Sequence, residues 1–377
     1  MREPQLCPNP ECRLHYRLDP PSRRRWYLRD GSFISARRGR TVRFRCRECG
    51  KRFSEATFAL EYYAKKRMDV RRLRKLLVSG VSVRGCARQL NCAASTVSRW
   101  VIILCRQSIA AHAALWPHHG NTEALVADGF QSFWVSQYHP NNFNLLLGSE
   151  SQYVYALTSV SLKRSGRMSK AQRRRRDLLE SQYRSDPKGV ERSFAVLVGE
   201  AVRLWDRQRT QGLHPCCVIT TDEHQSYPRA ILPYRFSTDI QHHTVSSRQA
   251  RTGQNPLFAV NYIDREIRKD LAEHHRETVC FARHASHSIA RMWVYLVWHN
   301  LEKPFRISPR QDRSHAEVSG VPRIQIVRQR SRILSRRAFF HRSRLCESQR
   351  RDWLQLHWTP EHENRRNPRV TPSYAAI

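Results

Sequence analysis

The sequence predicts an α/β protein in which strands and helices follow two small N-terminal modules. Three observations predict it. Two cysteine pairs, Cys7 with Cys12 and Cys46 with Cys49, stand in turn-prone loops near the N-terminus. Three short runs with helical apolar spacing follow over residues 69–107. Beyond residue 123, strand-like runs give way to amphipathic ones. Their order is three strands, a helix, a strand, a short turn segment, a strand and a helix.

Composition limits the partners. Among 377 residues, 67 Lys and Arg stand against 32 Asp and Glu, a net charge of +35. A surface that basic repels itself unless it meets a polyanion, so nucleic acid is the expected partner. With 40% hydrophobic residues and 9 Trp, 13 Tyr and 14 Phe, the chain has the material for folded cores and is not a disordered polycation. The opening "MREPQLCPNPEC" is polar and unlike a secretory leader. The apolar run "MWVYLVWHN" is too short for a membrane span, which needs roughly 18 residues. A cytoplasmic protein with no membrane partner is expected, and its 11 cysteines are then thiols or metal ligands rather than disulfides.

The first module reads as a zinc ribbon. "CPNPEC" carries two prolines and an Asn, and "CRECG" ends in a Gly that lets the chain fold back. Four thiolates from Cys7, Cys12, Cys46 and Cys49 would close a structural Zn²⁺ site, which suits a segment too small for much core. Between the pairs, "RDGS" flanked by strand-like residues predicts a hairpin turn. The pairs lie further apart than usual, but loop-closure entropy adds only about 0.6 kcal/mol per doubling of length. A redox role for Cys46-x-x-Cys49 would need a βαβ context that is absent. His15 is a less favoured substitute for Cys12 as a ligand.

The second module reads as a helix-turn-helix. Leu73, Leu76 and Leu77 form one face, closed by "SG" at 79–80; Val83, Ala87 and Leu90 form the next; Val97, Trp100, Val101 and Leu104 the third. The polar positions leading the last helix, Ser95, Thr96, Ser98 and Arg99, would meet base edges or phosphates in a major groove. A helical bundle without DNA contact is the plain alternative, and the six cations from Arg71 to Arg88 weigh against it. Cys86, Cys92 and Cys105 read as small buried residues.

Acids are scarce, so those ending apolar runs stand out. "EALVAD" ends in Asp128, "CVITTDE" in Asp222 and Glu223, and "NYIDREIRKDL" begins a helix carrying Asp264. If the first two strands are neighbours, their carboxylates lie about 5 Å apart. A carboxylate from a helix can complete the set. Such a group repels itself unless it holds cations, and Mg²⁺ or Mn²⁺ suits oxygen ligands and phosphate substrates. Taken singly, each Asp reads more readily as a turn or cap residue; together, in that order and behind a DNA-binding module, they read as a catalytic set.

Together these segments resemble the bacterial insertion-sequence transposases of the DDE/DDD type. The motifs "ADGFQSF", "ITTDEHQSYPRAI" and "NPLFAVNYIDREIRKDL" are similar to the three acidic motifs of that group, and the resemblance covers roughly residues 1–300. It implies an RNase H-like catalytic domain, with Asp128, Asp222 and Asp264 as the catalytic, metal-binding acids. The family's third motif commonly has a Glu three residues after an Asn; here Asp264 follows Asn261, and Glu266 is the rival. Positions two apart on a helix do not share a face, so one of the two should reach the metals, and the register favours Asp264. The resemblance further implies cleavage and strand transfer on double-stranded DNA at element ends and target, a homo-oligomer assembled on DNA, and a bacterial, nucleoid-associated location. The expected layout is a ribbon over 1–60, a helix-turn-helix over 61–115, the catalytic domain over 120–306 with a basic insertion about 162–192, and a basic extension over 307–377.

The basic stretch ending in Arg173, Arg174, Arg175 and Arg176 is expected to be a loop that tracks DNA phosphates, or simply a solvated one. In "HASHSIARMWVYLVWHN" a helix should pack Trp293, Leu296 and Val297 inward, with its histidines on the polar face or at a cap. "RILSRRAFFHRSRL" reads as helical, and the tail from Thr359 as mobile. The rival function is a catalytically inactive DNA-binding regulator or a decayed transposase, which the Asp at the third position keeps open.

Overall fold

The computed structural model describes residues 3–16, 25–36, 38–62, 64, 67–120, 123–210, 212, 216–236, 238–275 and 280–361. After a single helical turn, α1 (Arg13–Tyr16), three antiparallel strands follow: β1 (Tyr27–Ser35), β2 (Gly39–Cys46) and β3 (Arg52–Ser54), in the order β1-β2-β3. Trp26, Tyr27, Phe44 and Phe53 fill their small core, with Trp26 stacked on Phe53 at 5.8 Å. The "RDGS" segment is not the hairpin tip. It lies inside β1, where the register slips between Arg29 and Ser32 and Gly31 takes φ +75°. A β-bulge needs the same left-handed glycine as a turn, and Phe33 and Ile34 continue the pairing with β2 beyond it.

Three helices follow, α2 (Val70–Val78), α3 (Val83–Gln89) and α4 (Ala94–Leu115). Asp69 caps α2 by accepting from Arg72 N at 3.0 Å, and Ser82 caps α3 by accepting from Gly85 N at 3.1 Å. Leu73, Leu77, Ala87, Val97, Trp100, Val101 and Leu104 are buried as their spacing predicts; Leu76, Val83 and Leu90 are half-buried. Gly80, at φ +78°, lets the α2–α3 turn pass so close to the backbone carbonyl of Asp270 that a Cβ there would stand 2.9 Å from it. Helix α4 runs 22 residues, beyond the expected recognition helix, and its second half buries Ile109, Ala111, Ala113 and Leu115.

The sheet is built from β4 (Leu125–Phe133), β5 (Pro140–Gly148) and β6 (Val154–Ser161), then, after helices α5 (Lys170–Gln182) and α6 (Gly189–Thr210), from β7 (Cys217–Asp222), with α7 (Ser226–Ile231) leading to β8 (Ile240–Val245). Its order is β6-β5-β4-β7-β8. The first three strands form an antiparallel meander, and β7 lies parallel to both β4 and β8. Helix α6 packs against β5, β6 and β7, and α8 (Phe258–Asp270) against β4 and β5. The buried carboxylate of Glu123 accepts from Ser151 N, Ser151 Oγ and Tyr155 Oη, which fastens the β5–β6 turn.

Helix α9 (Ala285–Leu301) packs on α4 and buries Trp293, Leu296 and Val297. The short strands β9 (Pro304–Arg306) and β10 (Gln311–Ser314) follow, then α10 (His315–Val318), α11 (Arg323–Ser335) and α12 (Glu347–Leu354). Buried side chains of α2–α4, the sheet, α9, α11 and α12 form one continuous core, separate from that of the ribbon strands.

Three further expectations are corrected. The basic stretch is helical from Lys170, because Ser169 and Gln172 form a capping box that starts α5. His299 is fully buried and stacks on His315 at 3.9 Å, rather than lying on a polar face. The "RILSRRAFFHRSRL" helix ends at Ser335, where the chain turns to bridge Ala59 through Arg336. The expected mobile tail lies outside the described residues beyond 361. Among the described residues, no helix is long and apolar enough to cross a membrane.

Candidate active site and metal centre

Asp128 does not end its strand. It is the fourth of nine residues in β4, which continues to Phe133 because its far side still pairs with β5. What ends near Asp128 is the parallel partner: β7 stops at Asp222. The register pairs Leu125 with Ile219 and Val126 with Thr220; carried two residues on, it sets Asp128 beside Asp222. The buried runs before each acid fix both strands in the sheet and leave the carboxylates where the pairing gives out.

Each carboxylate has its own surroundings. Asp128 Oδ1 accepts from Gly129 N at 2.6 Å and from Tyr227 Oη at 3.3 Å. Asp222 Oδ1 accepts from His224 N at 2.9 Å. Asp264, half-buried on α8, has no hydrogen bond or ion pair among the described residues. Burial, then the charge of Asp222, pushes the Asp128 carboxyl up to about 6, against the pull of the Gly129 N–H, Tyr227 and Arg251. Burial, then the charge of Asp128, pushes Asp264 up to about 8, with Arg268 and Arg251 offsetting part of it. Tyr227 is raised by burial and by both Asp128 and Asp222. The three aspartates therefore share one electrostatic neighbourhood, although chain distances of 94 and 42 residues separate them.

Glu266 lies elsewhere. It is buried, bonded to Lys269 Nζ at 2.7 Å and to Lys303 Nζ, with Arg265 at 3.8 Å. Burial pushes its carboxyl up, but the hydrogen bonds from Lys269 and Lys303 outweigh this and hold it below its ordinary value. Two positions apart on one helix, Asp264 meets an acid and Glu266 meets two lysines. The sequence reading missed Tyr227 and Arg251. Tyr227 follows Asp222 within "DEHQSYP", so its nearness to the site was legible; nothing local marks Arg251.

The four cysteines do converge. Cys7, Cys12, Cys46 and Cys49 place all four sulfurs within 4.8 Å of one another, three residues buried and Cys49 exposed. Cys7 Sγ stands 3.6 Å from Cys49 Sγ and Cys12 Sγ 3.9 Å from Cys46 Sγ. A tetrahedron with Zn–S bonds of about 2.3 Å has edges of about 3.8 Å, so this donor set fits Zn²⁺. Burial raises the Cys7 thiol and takes Cys12 up to about 11. At Cys49 burial is outweighed by hydrogen bonds from the Lys51 backbone N–H and the Asn9 side chain, which bring it down to about 7. His15 is not among the ligands. Its Nδ1–H donates to the Cys7 carbonyl at 2.7 Å and braces the first loop. Among the described residues no other group of three or more possible ligands is drawn this tight, the aspartates included.

The expected DNA-contacting residues fall on two separate elements. On α4, Ser95 and Arg99 are exposed, and Thr96 and Ser98 half-buried, beside the buried Val97 and Trp100. On α5, Arg173, Arg174 and Arg175 are exposed, while Arg176 is half-buried and bonds Asp177 at 2.7 and 2.9 Å. No family model matches the chain, and no curated protein matches it.

Proposed function

We propose that this protein is a DNA transposase that cuts DNA at the ends of a mobile element and joins the freed ends to target DNA. One observation carries the reading. Asp128, Asp222 and Asp264, from β4, β7 and α8, come near enough that, beyond burial, the charge of Asp222 raises the Asp128 carboxyl and the charge of Asp128 raises the Asp264 carboxyl, in a chain of net charge +35. The strand order, with its antiparallel meander followed by parallel strands, supports an RNase H-like domain. The packing of α8 on β4 supports an Asp in place of the family's longer Glu.

The donor set suits Mg²⁺ or Mn²⁺: three carboxylates, one of them without a protein partner among the described residues. Such ions would polarise the scissile phosphate and promote deprotonation of the attacking water or 3′-OH. The protein's own groups set the stage. Tyr227 and the Gly129 N–H orient Asp128, and the His224 N–H orients Asp222. Arg268 is pinned to the carbonyls of Gln131 and His274, beside the acids, where it can meet a phosphate. The α4 residues Ser95, Thr96, Ser98 and Arg99 would read DNA, Arg173 to Arg176 on α5 would follow its backbone, and two or more copies would bridge the element ends. The ribbon, with Zn²⁺ on its four cysteines, would serve as a structural module beside them.

The test is cleavage and strand joining on DNA carrying the element's ends, in Mg²⁺ or Mn²⁺. Wild type should act, Asp222→Asn and Asp264→Asn should not, and folded Glu266→Gln should retain activity. If wild type binds the ends and never cuts, the protein is a DNA-binding regulator or a decayed transposase.

A further inference from the structure

A cavity of about 590 Å³ lies where four parts of the chain meet: the segment before Cys7, the ribbon with the turn that follows it, the C-terminal half of α4, and the stretch from α11 onward. It exists because α4 presents alanines there, at 110, 113 and 114, opposite the irregular chain that follows Ser335. Its size falls within the roughly 300–1,000 Å³ of ligand pockets.

The wall is strongly basic. Arg332, Arg336, Arg337, Arg342 and Arg344 line it from the C-terminal stretch, and Arg38 from the ribbon; its two acids are Glu3 and Glu55. Much of this charge is already engaged. Arg336 donates to Gln5 Oε1 at 2.7 Å, Arg342 donates to the His15 carbonyl, Arg337 stacks over Phe339, and Arg38 pairs with Glu61. Glu3 is taken by Arg25 at 3.1 Å. The side chains of Arg332 and Arg344, both exposed residues, have no hydrogen bond, ion pair or ring contact among the described residues. Partial burial, then the charges of Arg328, Arg336 and Arg342, lowers the pKa of Arg332. A guanidinium stays charged at any ordinary pH, so this crowding is relieved by an anion rather than by losing a proton.

We propose that this cavity is a phosphate-binding site, with Arg332 and Arg344 as its principal ligands. Guanidinium groups grip phosphate oxygens in pairs, and no lysine is among the described residues of the wall. The phosphate can come from a nucleic acid backbone or from a small free phosphate compound. The site is independent of the three aspartates and would stand if the chain cut no DNA. It gives the C-terminal stretch a role: that stretch ties the ribbon to α4 and presents the arginines in the same stroke.

The experiment titrates pyrophosphate, and separately a short DNA duplex of unrelated sequence, into the zinc-loaded full chain. The variants are Arg332→Gln/Arg344→Gln, a control Arg310→Gln/Arg313→Gln at exposed positions of the β9–β10 hairpin, and Glu55→Gln. The first should weaken pyrophosphate binding about tenfold or more, equivalent to about 1.4 kcal/mol. The β9–β10 control should leave it unchanged, and Glu55→Gln should strengthen it by removing the wall's remaining acid. If DNA binding weakens in parallel and pyrophosphate competes with DNA, the phosphate is that of nucleic acid. If DNA affinity is unchanged while pyrophosphate binding is lost, the site takes a free phosphate compound. Pyrophosphate that fails to bind, or binds the double arginine variant as well as wild type, overturns the proposal. So does weaker or unchanged binding to Glu55→Gln.

Discussion

Replacing Asp264 by Asn should make the protein more stable above neutral pH while removing an acid the proposed chemistry needs. Burial and the charge of Asp128 push this carboxyl from an ordinary value of 3.8 up to about 8. An acid raised in this way keeps its proton longer in the folded state than in the unfolded chain. Between those values the folded protein binds one proton more, so its stability falls by about 1.4 kcal/mol for each pH unit gained. The contribution is fully present below about pH 4 and gone above about pH 8, a total on the order of 5 kcal/mol. Asn carries no ionisable proton and escapes this loss. The variant's advantage over wild type should thus be near zero at about pH 4, grow through neutrality and level off above about pH 8. Urea denaturation followed by tryptophan fluorescence, on both proteins at matched pH, measures it, and titrating groups remote from Asp264 cancel in the difference. Mg²⁺ adds a second arm: at high pH it should raise the wild-type midpoint more than the variant's, because it binds the folded carboxylates. A stability difference that does not change with pH, or a variant less stable than wild type at about pH 8, would refute the reasoning.

Three other substitutions probe separate parts of the molecule. Glu266→Gln leaves Lys303 buried without its partner and should cost about 3–5 kcal/mol, seen as a lowered denaturation midpoint; an unchanged midpoint would contradict the buried pair. Cys46→Ser should abolish bound zinc by metal analysis of the purified protein, whereas Cys105→Ser, buried in the helical core, should leave zinc content intact. Arg173→Gln/Arg174→Gln/Arg175→Gln should flatten the salt dependence of DNA binding, lowering the log–log slope by up to about 3 if each contacts one phosphate, as titrations across salt concentrations would show.

What was legible in the sequence was carried by neighbouring residues. The two cysteine pairs sit in loops whose Pro, Asn and Gly set their own turns, so the convergence of four thiols could be read from spacing. Apolar periodicity located α2 to α4, and the alternation of runs gave the order of the five strands from β4 to β8 with α6 and α8, but not the helices α5 and α7. Where local signals serve two geometries, the reading went astray. The glycine in "RDGS" suits a bulge as well as a turn, and the pairing of β1 with β2 chose the bulge. A run of arginines looks like solvated loop until the cap formed by Ser169 and Gln172 is counted.

By itself, the sequence determined the excess positive charge, the cysteine ligand set, the helical and strand-forming segments, and the fact that Asp264 and Glu266 must point different ways. Only the tertiary structure decided which of the two faces the acids. That choice depends on Lys303, which is 37 residues from Glu266 along the chain, and on Asp128 in the sheet. Likewise, only packing gathered arginines of the C-terminal stretch against α4 and the ribbon into one cavity. The physical reason is common to both. Backbone geometry and side-chain periodicity are short-range properties of consecutive residues, whereas the energy of a charge is set by whatever the fold brings within a few ångströms of it.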